Sequence, residues 1–329
     1  MPAGRLATID YALIAAYMVF ALAAGILLSR RASQNSESYF LGGRTLPWWL
    51  VGISMVATSF ASDTPIVVTE MIRRHGLQRV WWLFSACIGL SLGTFLFSRL
   101  WRRAEITTDA EIYELRYAGR PAAFLRGMQA ARSGVVVNLM TMSWVILAMS
   151  NVITTLADVD PWLAVGICVA VALTYATFAG FYGVVVTDLV QFFIAVGSMA
   201  YLAVVAWTRA GGFEVIRDKI SAMPAHGPDT LELFPDLSRP SMDLLALFIF
   251  IGLLWWNDSG SYHMQRISAC KDERHAVLAA LFNAVFQTSR AWIWIGVALV
   301  SIVLFPDLSQ TPYGDTRAYP MVINAYLGP

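Results

Sequence analysis

The sequence predicts an all-α protein that crosses a membrane several times, and two observations support this prediction. Apolar residues make up 57% of the chain and charged residues only 14%, with a mean hydropathy of +0.59. This composition is far too apolar for a soluble domain of the same length. In addition, apolar windows long enough to cross about 30 Å of hydrocarbon, at about 1.5 Å per helical residue, recur along the whole chain.

Eight windows are predicted to be membrane-spanning helices. They cover residues 8–28, 46–71, 80–98, 133–155, 161–179, 184–207, 243–262 and 276–304. The first window is long and is followed at once by Arg30 and Arg31, which favours a true helix over a cleaved signal peptide. The basic connection 99–132 predicts an amphipathic helix at the membrane surface. The connection 208–243 is rich in glycine and proline, which predicts turns and one short helix near 214–221.

The distribution of Lys and Arg predicts how the chain is oriented. The connections that follow the first, third and seventh windows carry more of these residues than the connections on the opposite side. Because positive charge is enriched on the cytoplasmic side, the amino terminus is predicted to face outward, with the chain in the cell membrane. Arg73, Arg74 and Arg79 run against this orientation, since they lie in a short connection on the predicted outer side.

Polar residues interrupt the second window in its middle. The interruption consists of Thr58, Ser59, Ser62, Asp63, Thr64 and Pro65, between the apolar runs 46–57 and 66–68. Backbone groups cannot stay unpaired in hydrocarbon, so an unwound stretch at this depth has to line a cavity or bind something. Free carbonyls and hydroxyls are the hard oxygen ligands that an alkali or alkaline-earth cation prefers. The alternative is a proline-kinked helix whose hydroxyls bond to the preceding turn.

Further polar residues lie inside apolar windows, where ionisable groups are costly and usually face a cavity or a partner. Asp188 and Gln191 are one helical turn apart and share a face, although Asp188 could instead cap the end of its helix. Asn257 and Asp258 interrupt another window and repeat the pattern of the first break, or else mark a helix end at the interface. Arg290 is predicted to be a packing contact rather than a ligand.

The sequence does not favour an enzyme. The four histidines are dispersed and lack the spacing of a metal site or a serine partner, and no glycine-rich phosphate loop occurs. Trp81 and Trp82 suit the aromatic belt at a membrane interface. Their alternative role is a stacking surface for a ring-bearing substrate.

Four groups of motifs resemble the sodium:solute symporter family. They are Gly42 to Trp49 leading into Ser54 to Ser59; Leu115-Arg116-Tyr117; Ala179-Gly180-Phe181 with Thr187 to Gln191; and Gln265-Arg266 with Ala269 and Lys271. The motifs occur in the family's order and cover almost the whole chain.

The resemblance implies a leucine-transporter-like fold of two inverted five-helix repeats behind an extra leading helix. Residues 8–28 would then be the leading helix, 46–207 the first repeat, and 243–304 the first two helices of the second repeat. In relatives, a third helix of the second repeat supplies hydroxyl ligands to sodium. That helix would follow Pro329, so the sequence is expected to be truncated or partial, and a chain ending there is expected to bind sodium poorly.

The resemblance also implies particular site residues. The backbone carbonyls of Ala57 and Phe60 would bind sodium, and Asp188 would contribute to a second sodium site. The residues implied for the solute site are Ser59, Asp63, Thr64, Trp81, Leu253, Trp256 and Asn257. Leu253 and Asn283 depart from the pattern of sugar transporters, which puts a sugar substrate in doubt.

The expected function is therefore sodium-coupled symport of a small polar organic solute by alternating access, with sodium, the solute and the lipid bilayer as partners and no role for nucleic acid. Two alternatives remain open. The chain could be a symporter-like membrane module that senses a ligand, or an inactive transporter fragment.

Overall fold

Helices form nearly all the regular structure in the computed structural model, which describes residues 6–84, 86–157, 159–224, 226–234, 261–311 and 314–328. The α-helices in these ranges are α1 (Thr8–Ala32), α2 (Ser36–Leu41), α3 (Trp48–Thr58), α4 (Asp63–His75), α5 (Trp81–Phe84), α6 (Ala86–Leu92), α7 (Ser98–Ala104), α8 (Ile112–Arg116), α9 (Gly119–Ala131), α10 (Asn138–Leu156), α11 (Pro161–Ala210), α12 (Gly212–Ser221), α13 (Ser261–Ser268), α14 (Glu273–Leu304) and α15 (Gly314–Leu327). Short π-helical stretches, Gly93–Phe97 and Arg132–Val137, join α6 to α7 and α9 to α10.

Several of these helical segments can cross a membrane. Five are long and apolar enough: Thr8–Ser29, Leu77–Ala104, Gly119–Leu156, Pro161–Ala210 and Glu273–Leu304. The bent pair formed by α3 and α4 is a sixth if it is counted as one span. The predicted window 243–262 lies almost entirely outside the described residues, and so do Asn257 and Asp258. The multi-span helical character of the chain agrees with the prediction from composition.

The two predicted spans 161–179 and 184–207 lie on either side of a break at Gly180. Both are parts of α11, but Gly180 has φ 56° and ψ −168°, which is not a helical conformation, so α11 consists of two helical halves that meet at this residue. Glycine adopts this backbone conformation without the steric penalty of a Cβ atom. The predicted boundary is therefore present, as a sharp kink at one glycine and not as a loop.

Other predicted boundaries move in the structure. The basic connection contains α8 and α9, and α9 runs through the π-helical stretch into α10, so the helical segment that contains the predicted window 133–155 begins at Gly119. The short helix predicted near 214–221 is confirmed as α12.

The long helix α14 forms the centre of the bundle. About 61% of its most apolar window is buried inside the protein, compared with 17% for α1 and 6% for Gly119–Leu156. Trp294 is its largest buried side chain and belongs to the main hydrophobic core. Gly52 lets α3 approach closely, because a Cβ atom there would lie 2.9 Å from the ring of Phe282 on α14. The position of α3, and of the residues that follow it, is therefore fixed by α14.

Backbone and side-chain hydrogen bonds tie the start of α3 to the segment between α13 and α14. Leu46 accepts from the amide of Lys271 at 3.1 Å and donates to the carbonyl of Ala269 at 3.2 Å. The amide of Trp48 donates to Nδ1 of His275 at 2.9 Å. This region is called the α3 end of the bundle.

A buried ion pair holds the opposite, α4 end. Nε of Arg73 lies 2.7 Å from Asp315 on α15, and both side chains are at most 4% exposed. Arg73 also donates to the carbonyls of Ser301 and Phe305, each at 2.7 Å, at the end of α14. Arg74 adds a second contact to Asp315 at 3.2 Å. The charges of Arg73 and Arg74 are thus neutralised within the protein.

We predict that Asp315→Asn lowers the free energy of unfolding by about 3 to 5 kcal/mol, because removing one partner leaves the buried guanidinium of Arg73 uncompensated. Thermal unfolding of the protein in detergent micelles measures this. Glu70→Gln is the matched control, since Glu70 pairs with the half-exposed Arg74 at the surface. Its effect should stay below about 1 kcal/mol. Equal losses in the two variants would contradict the role given to the buried pair.

The same ion pair predicts an acid-sensitive stability. Burial alone would raise the pKa of Asp315, but hydrogen bonds from Arg73, Ser309 and Arg74 outweigh it and the pKa lies below the ordinary value. A carboxyl group whose pKa is depressed by folding stabilises the protein above its unfolded pKa, and the stabilisation is lost as the pH falls through the folded pKa. The melting temperature of the Asp315→Asn variant should therefore fall less between pH 6 and pH 3 than that of the unaltered protein.

Candidate functional site

The break predicted in the second window is present in the structure. The axes of α3 and α4 differ by 57°, and residues 59–62 connect them. Oγ1 of Thr58 donates to the carbonyl of Ser54 at 2.9 Å, and Oγ of Ser59 donates to that of Met55 at 3.2 Å. These hydroxyls bond to the preceding turn, as in the kinked-helix interpretation, but the helix is interrupted. Pro65 lies in the first turn of α4, where a missing N–H is tolerated.

The last turn of α3 leaves carbonyl oxygens available for a ligand. The amide of Ser59 bonds to the carbonyl of Val56 at 3.2 Å, and the amide of Phe60 bonds to that of Ala57 at 3.0 Å, which tightens this turn. Within the described residues, no hydrogen bond reaches the carbonyl of Phe60. A carbonyl oxygen has two lone pairs, so Ala57 keeps one and Phe60 keeps both. These are the two carbonyls that the resemblance implies for sodium.

Polar side chains of α14 cover this carbonyl end of α3. Arg290 donates from Nη2 to the carbonyl of Ser59 at 2.9 Å and from Nη1 to that of Val56 at 3.4 Å. Gln287 donates to Oγ of Ser59 and accepts from Arg290. Asn283, which is fully buried, accepts from Gln287 at 3.4 Å. The prediction that Arg290 is a packing contact therefore misses its polar contacts with the break.

The sequence contained a signal for this polar face. Asn283, Gln287 and Arg290 follow the spacing i, i+4, i+7, which places them on one face of a helix. In an otherwise apolar membrane helix, three polar residues on one face indicate a polar partner on a neighbouring element.

A second polar cluster surrounds Asp188, which is only 7% exposed and lies inside α11 rather than at a helix end. One carboxylate oxygen, Oδ2, accepts from Oγ of Ser54 on α3 at 2.5 Å and from Nη2 of Arg266 on α13 at 3.2 Å. Nε of Arg266 also donates to Oγ of Ser54 at 2.9 Å. The cluster thus joins α3, α11 and α13 through one buried ion pair.

A cavity of about 460 Å³ lies between the end of α3 and the cluster around Asp188. Its lining includes Ala57 and Thr58 from the break, Asp188 and Arg266 from the second cluster, and Gln191. The predicted shared face of Asp188 and Gln191 is therefore the face that meets the cavity. Of the residues predicted to bind sodium, Ala57 and Asp188 line this cavity, whereas Phe60 is not among its lining residues.

The remaining predicted site residues have different surroundings. Asp63 and Thr64 form the first turn of α4, directly after the break. Trp81 lies farther along the chain and contacts the segment before residue 235. Its Nε1 donates to the carbonyl of Leu233 at 2.7 Å, and its ring centroid is 5.5 Å from that of Phe234. Leu253, Trp256 and Asn257 lie outside the residues that the structure describes.

Comparison with known proteins identifies the family of the chain. The family described as the sodium:solute symporter family matches residues 39–314, which is most of the chain. The chain belongs to this family. Its members named below are transporters rather than enzymes.

Curated relatives of this chain include several cotransporters. A sodium/mannose cotransporter of Bos taurus is 24% identical over 320 residues, which cover 93% of this chain and 53% of the relative. A sodium/glucose cotransporter of Vibrio parahaemolyticus is 27% identical over 328 residues, covering 95% of this chain and 59% of the relative. A sodium-coupled monocarboxylate transporter 2 of Homo sapiens is 25% identical over 280 residues, covering 83% and 44%. The chain spans about half the length of these relatives.

A solved structure confirms the fold class. A Na⁺-coupled sialic acid symporter, in a substrate-bound outward-open state, aligns with this chain at a TM-score of 0.81 and 19% sequence identity. The alignment covers 98% of this chain and 66% of that symporter. The chain therefore has the symporter fold expected from its motifs.

We predict that Asp188→Asn destabilises the protein more than Ser54→Ala, because only the first change leaves the buried charge of Arg266 without a counter-charge. Replacing both charged residues, in Asp188→Asn with Arg266→Met, should restore part of the lost stability, since no isolated buried charge remains. Melting temperatures of Asp188→Asn, Ser54→Ala, Arg266→Met and the double variant in one detergent measure this coupling. Strictly additive effects would contradict a direct pair between Asp188 and Arg266.

Proposed function

We propose that this chain forms the ion- and solute-binding core of a sodium-coupled symporter that moves a small polar organic solute across the cell membrane by alternating access. The observation that carries the proposal is the interruption between α3 and α4 in an otherwise apolar bundle. An interrupted helix leaves backbone oxygens unpaired at membrane depth, and secondary transporters use such oxygens to bind ions and substrates.

Sodium is proposed to bind at the carbonyl end of α3, with the oxygens of Ala57 and Phe60 as backbone ligands. The donor set supports this assignment, since carbonyl oxygens are hard ligands suited to a hard cation. Asp188 is proposed to contribute to a second sodium position across the cavity. Its carboxylate already accepts hydrogen bonds from Ser54 and Arg266, so a sodium ion there would have to share the carboxylate with Arg266.

The solute is proposed to bind beside the break, in contact with Ser59, Asp63 and Thr64. Trp81, Leu253, Trp256 and Asn257 complete the proposed solute site. The relatives are named for mannose, glucose, myo-inositol and monocarboxylates, so their names support a small polar organic solute without favouring one chemical class.

Coupling follows from binding both partners in one conformation. One positive charge that moves through 100 mV releases about 2.3 kcal/mol, and the sodium concentration gradient adds to this. Sodium bound at the break would order the segment that also lines the solute site. Each partner would then raise the affinity for the other by the same factor.

The amino terminus is proposed to face outward. The arginines that run against this orientation include Arg73 and Arg74. Both arginines contact Asp315. An arginine that is neutralised inside the protein adds little to the charge difference between the two sides of the membrane, so Arg73 and Arg74 count less against this orientation.

We predict that the full-length protein in proteoliposomes takes up a radiolabelled solute only when a sodium gradient is directed inward. The solutes tested are mannose, glucose, myo-inositol, lactate and sialic acid, each with sodium replaced by choline as the control. Uptake should also stop when a sodium ionophore collapses the gradient. Uptake that follows a proton gradient and ignores sodium would overturn the ion assignment.

We also predict that Asp188→Asn raises the sodium concentration needed for half-maximal uptake by about tenfold, because a neutral amide attracts a cation less than a carboxylate does. Asp160→Asn is the matched control. Asp160 caps the start of α11 through a 2.8 Å bond to the amide of Leu163, and asparagine caps a helix equally well. An unchanged sodium dependence in Asp188→Asn would leave Asp188 only its structural role.

A further inference from the structure

The guanidinium of Arg290 binds carbonyls adjacent in the chain to those proposed for sodium. Its hydrogen-bond partners in the described part of the chain are all uncharged oxygens. These are the carbonyls of Val56 and Ser59, the hydroxyl of Ser59 and the side-chain carbonyl of Gln287. Val56 and Ser59 belong to the same helical turn as Ala57 and Phe60. The protein therefore presents its own cation to the carbonyl end of α3.

The surroundings of Arg290 are those of a bound cation rather than of a surface arginine. The residue is 4% exposed, and its Cζ atom lies 5.1 Å from the ring centroids of both Phe60 and Trp294. Aromatic faces attract cations. Nε is buried and has no hydrogen-bond partner within the described residues. Asp63 acts on the guanidinium through its charge alone, without a direct hydrogen bond.

A guanidinium in this position opposes sodium binding. Two unit charges about 5 Å apart, in a region with an effective dielectric constant of about 20, repel strongly enough to weaken sodium binding by about 300-fold. Sodium and the guanidinium also draw on carbonyls of the same turn. Sodium and the guanidinium of Arg290 therefore cannot both bind tightly at this turn.

We propose that Arg290 is a tethered cation that occupies the carbonyl end of α3 when sodium is absent, and that sodium binding displaces its guanidinium. This inference rests on the proposed sodium site at Ala57 and Phe60. The displaced guanidinium moves toward Asp63, the carboxylate whose charge already acts on it. Because Asp63 belongs to the proposed solute site, sodium binding then changes the charge that the solute meets.

If Arg290 had only a structural role, a different result would be expected. A cation at the carboxyl end of a helix stabilises that helix through its dipole, and the stem of Arg290 packs between two aromatic rings. If Arg290 served only this purpose, its removal would lower stability without increasing the affinity for sodium. The sign of the change in sodium affinity therefore separates the two roles.

The test is a sodium titration of the full-length protein in detergent by isothermal titration calorimetry, with choline chloride keeping the ionic strength constant. Arg290→Gln should bind sodium at least about tenfold more tightly than the unaltered protein, because the competing charge is gone. Arg290→Lys keeps the charge and should stay within about threefold of the unaltered protein. Arg103→Gln is the control, because Arg103 is 67% exposed and pairs with Glu273 at the surface.

The outcomes separate this inference from the proposed function. Equal or weaker sodium binding in a folded Arg290→Gln protein would overturn the role of Arg290 and leave the sodium site intact. Absence of sodium binding in every variant would overturn the sodium site, and the inference with it. Should Arg290→Gln fail to fold, Arg290→Met serves instead, since its apolar stem packs against Phe60 and Trp294. A melting curve of each variant establishes that it is folded.

Discussion

The need to satisfy every backbone group inside a membrane is the constraint on which this structure depends. A continuous helix satisfies its backbone groups by its own hydrogen bonds, whereas the interrupted helix formed by α3 and α4 leaves some of them without a partner. Two of its carbonyls, those of Val56 and Ser59, find a partner in Arg290 of α14, the most buried of the long helices in the described part of the chain, while the carbonyl of Phe60 has none there. Gly52 makes this possible by letting α3 approach α14. The break is therefore a joint feature of α3, α4 and α14, and not of one local sequence.

Buried arginine side chains join the helices at three places in the bundle. Two of them pair with a carboxylate, and the third contacts carbonyl oxygens and aromatic rings. Arg73 pairs with a carboxylate at the α4 end, and Arg266 pairs with Asp188 near the cavity. Arg290 meets carbonyl dipoles and aromatic faces at the break. Buried pairs of this type contribute little net stability but are costly to break on one side only. A change of conformation that breaks one of these contacts therefore has to give the buried arginine, or the group it leaves, another partner. An added cation can be such a partner for the group that the arginine leaves.

Part of this arrangement was predictable from the sequence and part was not. The break was visible because six polar residues interrupt an apolar window, and α12 because turn residues enclose it. The pair of Asp188 and Arg266 joins residues 78 positions apart, and no local pattern reports such a contact. The boundary inside α11 was visible because Gly180 lies between two apolar windows, but the sequence did not show that this one glycine makes the break without a loop. Arg290 was underestimated because it was considered alone and not with its neighbours on one helical face.

The two halves of the broken helix are attached to different parts of the protein, and this explains how binding at the break can reach both ends of the bundle. At its start, α3 is joined by backbone hydrogen bonds from Leu46 to the segment after α13. At its far end, α4 is held by Arg73 to α15 and to the end of α14. Between these two attachments, Arg290 of α14 contacts the residues that connect α3 and α4. If a ligand at the break changed the 57° angle, the segments attached at both ends would have to follow, as in hinge motions between rigid elements.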